Sequence, residues 1–280
     1  MGLASSKGAR IYYESSGQGS ALLLIAGWGS SSLSWETSFL DYLAQSHQVI
    51  VIDNRGTGRS DKPREDYSIS LLAEDCIAVM NDARVEHAHI LGASMGGLVA
   101  QEIVLNYRQR VSSMILCCTS CGWRSQVPES QFTFARTLLG GLSALNREER
   151  LKMRMELLFS KSFVEREWPR VNEHWLRLSK YPTPVYAFRN QWEALRRYDC
   201  CNRLSEMRVP SLIMGGDADQ LNPVQRLTEL SERISGSQLQ VFPGLGHGFI
   251  VEAREEVQFR IRAFLETIDG DRAVPQSERY

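Results

Sequence analysis

Six short apolar segments recur along the chain, at intervals that leave room for a helix between most of them. Most of these segments are apolar on both alternating faces, which is typical of strands buried on both sides of a parallel sheet. The candidate strands are residues 21–26, 49–52, 89–91, 111–118, 211–214 and 238–242. Helical patterns follow at residues 34–45, 70–82, 95–106, 223–234 and 253–268. This order predicts an α/β fold with a mostly parallel central sheet flanked by helices.

Two other segments depart from this alternation. Residues 10–15 alternate in polarity and precede the turn-forming residues 16–19, which predicts a hairpin that leads into the first parallel strand. Between residues 122 and 206 the strand pattern stops, and amphipathic patterns rich in Arg and Glu replace it. We therefore expect an inserted helical cap at 122–206, an α/β core formed by 1–121 and 207–270, and a polar tail at 271–280.

Charge and hydropathy limit the partners of the chain. Its 280 residues contain 32 Lys and Arg against 33 Asp and Glu, and no basic tract is present. No stretch approaches the roughly 18 apolar residues that cross a bilayer, and residues 1–19 lack the apolar region of a secretory signal. We expect no nucleic-acid partner, no membrane association and a cytoplasmic location; the oligomeric state is not predicted.

Six cysteines are present, at positions 76, 117, 118, 121, 200 and 201. Zinc sites usually need two separated ligand pairs, which this spacing does not offer. The segment ending at Cys118 instead looks like a buried strand whose thiols act as small apolar side chains. We expect reduced, structural cysteines, in keeping with the cytoplasm. Since no phosphate-binding Gly-Lys-Ser/Thr loop is present either, we expect no cofactor and no metal.

The strongest chemical signal is Gly-x-Ser-x-Gly, with its serine at Ser94. The motif directly follows an apolar strand and directly precedes a helical run, which is the strand–turn–helix context that a nucleophile elbow requires. Gly92 and Gly96 are needed because side chains there would collide with the neighbouring strand and helix. The motif predicts that the Ser94 hydroxyl projects from the carboxyl edge of the sheet.

A serine hydroxyl needs a positioned base, and the base needs a carboxylate. Among five histidines, His247 follows the last strand in a glycine-rich turn, whereas His174 lies on an amphipathic helix that suggests a surface or packing role. Asp217 and Asp219 both follow the strand at 211–214. Either carboxylate gives the chain order Ser, Asp, His.

Together these motifs resemble the α/β-hydrolase superfamily over residues 10–268. The matching pieces are residues 22–29, 53–61, 92–97, 216–219 and 244–247. The resemblance implies that Asp219, in a Gly-x-x-Asp pattern, is the triad acid and that Asp217 shapes the turn. It also implies an oxyanion hole formed by the backbone N–H groups of Met95 and Trp28.

Relatives commonly have His-Gly in the oxyanion loop, where this chain has Ala26 and Gly27. The resemblance implies hydrolysis of a small to medium, apolar carboxylic ester or lactone through an acyl-enzyme. Carbon–carbon bond hydrolysis and cofactor-free perhydrolase chemistry stay open as alternatives, as does a ligand receptor with this fold. We expect aromatic side chains to line the substrate pocket: Trp28, Trp123, Phe132, Trp168 and Trp192.

Overall fold

The computed structural model describes residues 1–122, 130, 133 and 146–273. Within these residues, eight strands form one sheet. They are β1 Gly2–Ser6, β2 Ala9–Ser16, β3 Ala21–Ile25, β4 Gln48–Ile52, β5 Ala88–Ala93, β6 Val111–Cys117, β7 Ser211–Gly216 and β8 Ser237–Phe242. Their order in the sheet is β1-β2-β4-β3-β5-β6-β7-β8, and all pairs from β4 onward are parallel. The α/β fold with a mostly parallel sheet is therefore confirmed.

The predicted N-terminal hairpin is wrong in its partners. The hairpin joins β1 to β2 through Lys7 and Gly8, both of which have positive φ. β2 then pairs antiparallel with β4, so the turn at residues 16–19 crosses over to β3 without making a hairpin with it. The antiparallel edge exists, but the alternation of residues 10–15 could not reveal which strand lies beside it.

Helices cover both faces of the sheet. In chain order they are α1 Thr37–Ala44, α2 Ile69–Asp82, α3 Met95–Asn106, α4 Arg147–Leu158, α5 Lys161–Arg166, α6 Trp168–Leu178, α7 Val185–Arg197, α8 Val224–Arg233, α9 Phe249–Glu252 and α10 Arg254–Ala273. Leu23 and Ile25 of β3 belong to the apolar layer that contains α2, α3 and α8, and Leu22 and Leu24 to the layer with α1 and α10. Because alternate residues of a strand point to opposite faces, this pattern explains why the strand is apolar throughout.

The helices α4 to α7 all lie between β6 and β7 in the chain, and we call them the inserted helices. A disulfide joins Cys121 to Cys201, 80 residues apart, at the two ends of this insertion. Next to it, the Cys200 N–H donates to the Cys121 carbonyl at 2.8 Å. The prediction of reduced thiols is therefore wrong for this pair, because pairing depends on proximity in the fold and not on spacing. Cys76, Cys117, Cys118 and Cys200 are free and buried.

The last helix is longer than the sequence pattern predicts. α10 continues to Ala273, so Asp269 lies within it and the predicted tail at 271–280 begins too early; residues 274–280 lie outside the described part. Polar residues in the last turns hid this end of the helix. None of the helices described here combines the length and the hydropathy needed to cross a membrane.

Candidate active site

Ser94 occupies the sharp turn between β5 and α3. Its φ is 55° and its ψ is −119°, a conformation that costs a residue with a side chain about 1–3 kcal/mol. A Cβ atom on Gly92 would lie 2.2 Å from the Gly96 carbonyl oxygen, and one on Gly96 would lie 2.1 Å from that of Ile25. Both positions therefore need glycine. The turn holds Ser94 at the carboxyl edge of the sheet, at the N-terminus of α3.

His247 and Asp219 meet at the same edge, from the loops after β8 and β7. His247 Nδ1 lies 2.7 Å from Asp219 Oδ2, and both side chains are buried. Asp219 Oδ1 accepts hydrogen bonds from the N–H groups of Leu221, at 2.7 Å, and Asn222, at 2.9 Å. Because a carboxylate only accepts hydrogen bonds, Nδ1 is the protonated nitrogen and Nε2 carries the lone pair. This is the tautomer of a general base.

Asp217, the other candidate carboxylate, has a different partner. Its Oδ1 accepts a hydrogen bond from the Gly244 N–H at 2.6 Å, which ties the loop after β7 to the loop that carries His247. The geometry thus gives Asp217 a turn-shaping contact and gives Asp219 the contact with the imidazole.

The loop after β3 packs directly against Ser94. A Cβ atom on Gly27 would lie 3.2 Å from Ser94 Cβ and 3.7 Å from Ser94 Oγ. Met95, which follows the serine, is the first residue of α3, where backbone N–H groups have no partner within the helix and the helix dipole is positive. The two segments predicted to form an oxyanion hole, at Trp28 and Met95, therefore flank the serine on two sides.

A cavity of about 150 Å³ opens between Ser94, His247 and the inserted helices. Its apolar walls include Trp28, Trp35, Phe159, Leu178, Ile250 and Val251. Ser94 and His247 both line it, and Ser94 Oγ makes no hydrogen bond to any residue described here. The hydrogen bond between a serine and its histidine base is often long in free enzymes and shortens when substrate binds. Ser94 and His247 therefore face one shared cavity.

A second cavity, of about 210 Å³, adjoins the first. The two share Trp28, Ser30, Leu158 and Leu178 as lining residues, and the second extends towards Trp175 and Phe188. A substrate longer than the first cavity therefore has an apolar direction in which to extend.

The predicted pocket aromatics are divided by the structure. Trp28 lines both cavities, and its Nε1–H donates to the Phe188 carbonyl at 2.8 Å. Trp192 packs behind Trp28 with ring centroids 5.0 Å apart, and Trp168 lies on a different, charged groove. Among the described residues, neither Trp168 nor Trp192 lines the cavity of Ser94, because amphipathic patterns do not tell which face of a helix meets a cavity. Trp123 and Phe132 lie outside the described residues.

His174 is a cavity residue that the sequence analysis assigned to a surface or packing role. It is 7% exposed and lines the same cavity as Ser94. Arg177 Nη2 lies 3.0 Å from His174 Nδ1, and since a guanidinium only donates, Nδ1 accepts and the proton sits on Nε2. Burial, assisted by the positive charge of Arg177, lowers the pKa of His174 to about 4. Arg177 follows His174 by three residues and so lies on the same face of the helix. This spacing is the sequence signal that could have indicated an oriented, buried His174.

The inserted helices contact the loop that carries His247. The Gly248 N–H donates to the Leu158 carbonyl at 2.6 Å. The Glu252 carboxylate accepts from the Gly246 N–H at 2.8 Å and from the Ser160 N–H at 3.1 Å. A displacement of the end of α4 would therefore move the imidazole as well as the cavity wall.

Cys118 also lines the cavity, which raises the question of a second nucleophile. Burial raises the pKa of its thiol well above the usual value, and the Asp219 charge adds to this effect. Because the thiolate is the reactive form, this raised pKa disfavours Cys118 as a nucleophile.

Comparison with known proteins gives one consistent family. A family model described as the alpha/beta hydrolase fold matches residues 20–253. A putative carbamate hydrolase of Azorhizobium caulinodans is 28% identical over 264 residues, which cover 93% of this chain and 97% of that protein. A pimeloyl-[acyl-carrier protein] methyl ester esterase of Aeromonas hydrophila is 28% identical over 245 residues, covering 85% and 92%. A solved esterase structure from Exiguobacterium antarcticum has a TM-score of 0.82 at 26% identity, covering 95% and 100%.

Proposed function

Because this chain belongs to the alpha/beta hydrolase fold family, we propose that it is a serine hydrolase that cleaves a small to medium, mostly apolar carboxylic ester or lactone. One observation carries the proposal. Ser94, held at positive φ, lines the same cavity as His247, whose Nδ1 is bonded to Asp219. Two of the relatives named above are, by their names, a putative carbamate hydrolase and a methyl ester esterase, which is in keeping with acyl transfer.

The reaction follows from the roles of the three side chains. His247 Nε2 removes the hydroxyl proton as Ser94 Oγ attacks the carbonyl carbon, and Asp219 stabilises the resulting imidazolium. The imidazolium then gives that proton to the leaving alcohol, or to the ring oxygen of a lactone, and an acyl-enzyme remains. Water, deprotonated by His247, attacks the acyl carbon, and the proton returns to Ser94 Oγ as the carboxylic acid leaves.

The N–H groups of Met95 and Trp28 would bind the oxyanion of both tetrahedral intermediates. The position of Gly27 beside Ser94 supports this, because it brings the β3 loop within contact distance of the reacting oxygen. One such donor is typically worth about 10²–10³ in kcat. The Ala26 of this chain replaces the histidine common in relatives and leaves the backbone donors in place.

The inserted helices act as a cap in this proposal. They close the cavity above Ser94 with Leu158, Phe159 and Leu178, and two adjoining cavities of about 150 and 210 Å³ suit an acyl chain and an alcohol of modest size. The apolar lining favours uncharged substrates, because transfer of a charge into such a site is costly.

His174 would supply this pocket with a fixed hydrogen-bond donor. Its Nε2–H has no partner in the described residues, and its tautomer is set by Arg177. A neutral donor in an apolar pocket selects substrates that carry a second acceptor oxygen, since it is left unpaired by those without one.

The first experiment measures hydrolysis of p-nitrophenyl esters from acetate to octanoate. Wild type should turn over repeatedly, and Ser94→Ala and His247→Ala should each lose at least about three decades of kcat/KM. Ser211→Ala, at a buried serine at the amino end of β7, is the matched control and should retain activity. Full activity of Ser94→Ala would refute the mechanism. Single labelling of Ser94 without turnover would favour a receptor.

The role of His174 is tested with two esters that differ by one carbonyl. We expect wild type to prefer p-nitrophenyl levulinate over p-nitrophenyl pentanoate by about tenfold in kcat/KM, and His174→Phe to lose that preference. A preference that is equal in both proteins would show that His174 only packs. Loss of both activities would indicate a damaged pocket, which circular dichroism and Ser94 labelling would reveal.

A further inference from the structure

A second group of reactive side chains lies at the opposite edge of the sheet from Ser94. His47 directly precedes β4, His89 is the second residue of β5, and Asp269 lies in α10. His89 and Ser94 are five residues apart along one strand direction, so about 16 Å separates this group from the nucleophile. The proposed hydrolysis uses none of these three residues.

Their ligand atoms converge on one point. His89 Nε2 lies 3.0 Å from Asp269 Oδ1, and His47 Nε2 lies 3.4 Å from Asp269 Oδ2. One ligand atom from each of the three residues lies within 4.8 Å of the other two. Ligands bound at about 2.0–2.1 Å around a tetrahedral zinc ion are about 3.3 Å apart, so small shifts would accommodate an ion between them.

His47 provides the independent observation. Its side chain is 1% exposed, and among the described residues its Nε2 has no partner that meets hydrogen-bond geometry; Asp269 Oδ2 faces it at 3.4 Å. A buried polar atom without a partner is costly, so this nitrogen is suited to bind a ligand. A hydrogen-bonded network of these three side chains alone leaves that nitrogen unexplained.

The outer contacts orient both imidazoles. His47 Nδ1 lies 2.9 Å from Ser46 Oγ, and His89 Nδ1 lies 2.7 Å from Ser113 Oγ. Without an ion, His89 Nε2–H donates to Asp269 Oδ1, because a carboxylate only accepts. An ion bound at this point would displace that proton, and each serine can then accept an Nδ1–H, so that both Nε2 atoms face the ion. Histidine ligands of metals usually have such a partner on the other ring nitrogen. The Asp269 side chain is 29% exposed and provides a path from solvent.

We propose that His47, His89 and Asp269 form a binding site for one divalent transition-metal ion of the zinc class, with water completing the coordination. Two imidazoles and one carboxylate suit zinc, copper, nickel or cobalt better than magnesium or calcium. The ion joins the C-terminal part of α10 to the amino ends of β4 and β5. Its role is structural, because hydrolysis takes place at the other edge.

The test is zinc binding to the full chain after dialysis against a chelator, by titration calorimetry and elemental analysis. Wild type should bind one ion per chain with a Kd in the micromolar range or below. His89→Gln and Asp269→Asn should weaken binding at least about tenfold. His87→Gln is the matched control, because His87 is an exposed histidine at the same edge of the sheet, and it should bind like wild type.

Two further readouts separate the proposal from its alternatives. Cobalt should give visible absorption bands in wild type that are lost in Asp269→Asn, a variant that retains the hydrogen-bonding shape of the side chain. Zinc should also slow hydrogen exchange in the last turns of α10, with ester hydrolysis unchanged. No binding at 0.1 mM zinc, or equal binding by wild type and Asp269→Asn, would overturn the metal site. Neither result would affect the proposed hydrolase.

Discussion

A serine, a histidine and an aspartate lie close together near each end of β5. The two sets differ in what the ring nitrogens of the histidine face. At the amino end, His89 has Ser113 Oγ at 2.7 Å on one side and Asp269 Oδ1 at 3.0 Å on the other. His89 and Ser113 are fully buried, with 0% exposure. No substrate can reach this serine.

At the carboxyl end the same residue types are arranged around open space. His247 uses one ring nitrogen for Asp219 and leaves the other towards a cavity, and Ser94 is held in a strained turn. The residue set alone therefore does not define a catalytic site. What sets the candidate site at the carboxyl end apart is a serine held in a strained turn and a cavity that both this serine and the histidine line.

The largest expected effect concerns the carboxylate at the carboxyl end. Asp219→Asn should lower kcat by about 10⁴-fold, because an amide in place of the carboxylate favours the wrong imidazole tautomer. Asp217→Asn, two residues away and with a side chain that accepts from the Gly244 N–H, should change kcat less than about tenfold. Steady-state kinetics on one ester compare the two, and the reverse order would make Asp217 the triad acid.

The second effect concerns the disulfide, which has no counterpart at the amino edge. Replacing Cys121 and Cys201 by alanine should lower the free energy of unfolding by about 4 kcal/mol, since an 80-residue loop is released. Urea denaturation measures the loss, with Cys117→Ala as the control for a buried free thiol. KM should rise as well, because the inserted helices form the pocket wall; unchanged stability would mean that the pair is reduced in solution.

The third effect is a pH dependence at His174. Burial lowers the pKa of His174 to about 4, against about 6.5 in the unfolded chain. The unfolded state therefore binds more protons between these values, and stability should fall by up to about 3 kcal/mol as the pH falls from 6.5 towards 4. This fall in stability between pH 6.5 and 4 should be absent in His174→Phe. A variant of the exposed His87 should retain it. Urea unfolding at several pH values gives both slopes.

The smallest expected change in stability comes from a comparison of Ser113 with Ser94. One variant should lose stability and keep activity, and the other should do the reverse. Ser113→Ala should cost about 1–3 kcal/mol of stability and leave hydrolysis unchanged, since it removes the partner of the buried His89 Nδ1. Ser94→Ala should abolish hydrolysis and change stability by less than about 0.5 kcal/mol. Thermal unfolding and ester hydrolysis of the two variants check this, and a loss of activity in Ser113→Ala would mean that the two edges are coupled.

Local signals were sufficient for the sheet and for the serine. The six predicted strands coincide with β3 to β8 to within two residues at each end. Most of them are buried on both faces and therefore have continuous apolar runs, whereas β8 is a partly exposed edge strand. The glycines around Ser94 were predicted for a steric reason, and the distances of 2.2 and 2.1 Å from hypothetical Cβ atoms express that reason. β1 was missed because it is a short edge strand with mixed polarity.

The sequence by itself determined the α/β fold, the elbow at Ser94, and His247 with either Asp217 or Asp219 as its candidate partners. These features depend on periodicity, on glycines and on the chain order of strand ends, all of which are local or sequential. Only the tertiary structure decided that His174 lines the cavity, that Trp168 and Trp192 do not, and that Cys121 pairs with Cys201. It also brought His47 and His89 to Asp269, 180 residues beyond His89. Burial and the convergence of distant side chains are properties of packing, which no single segment encodes.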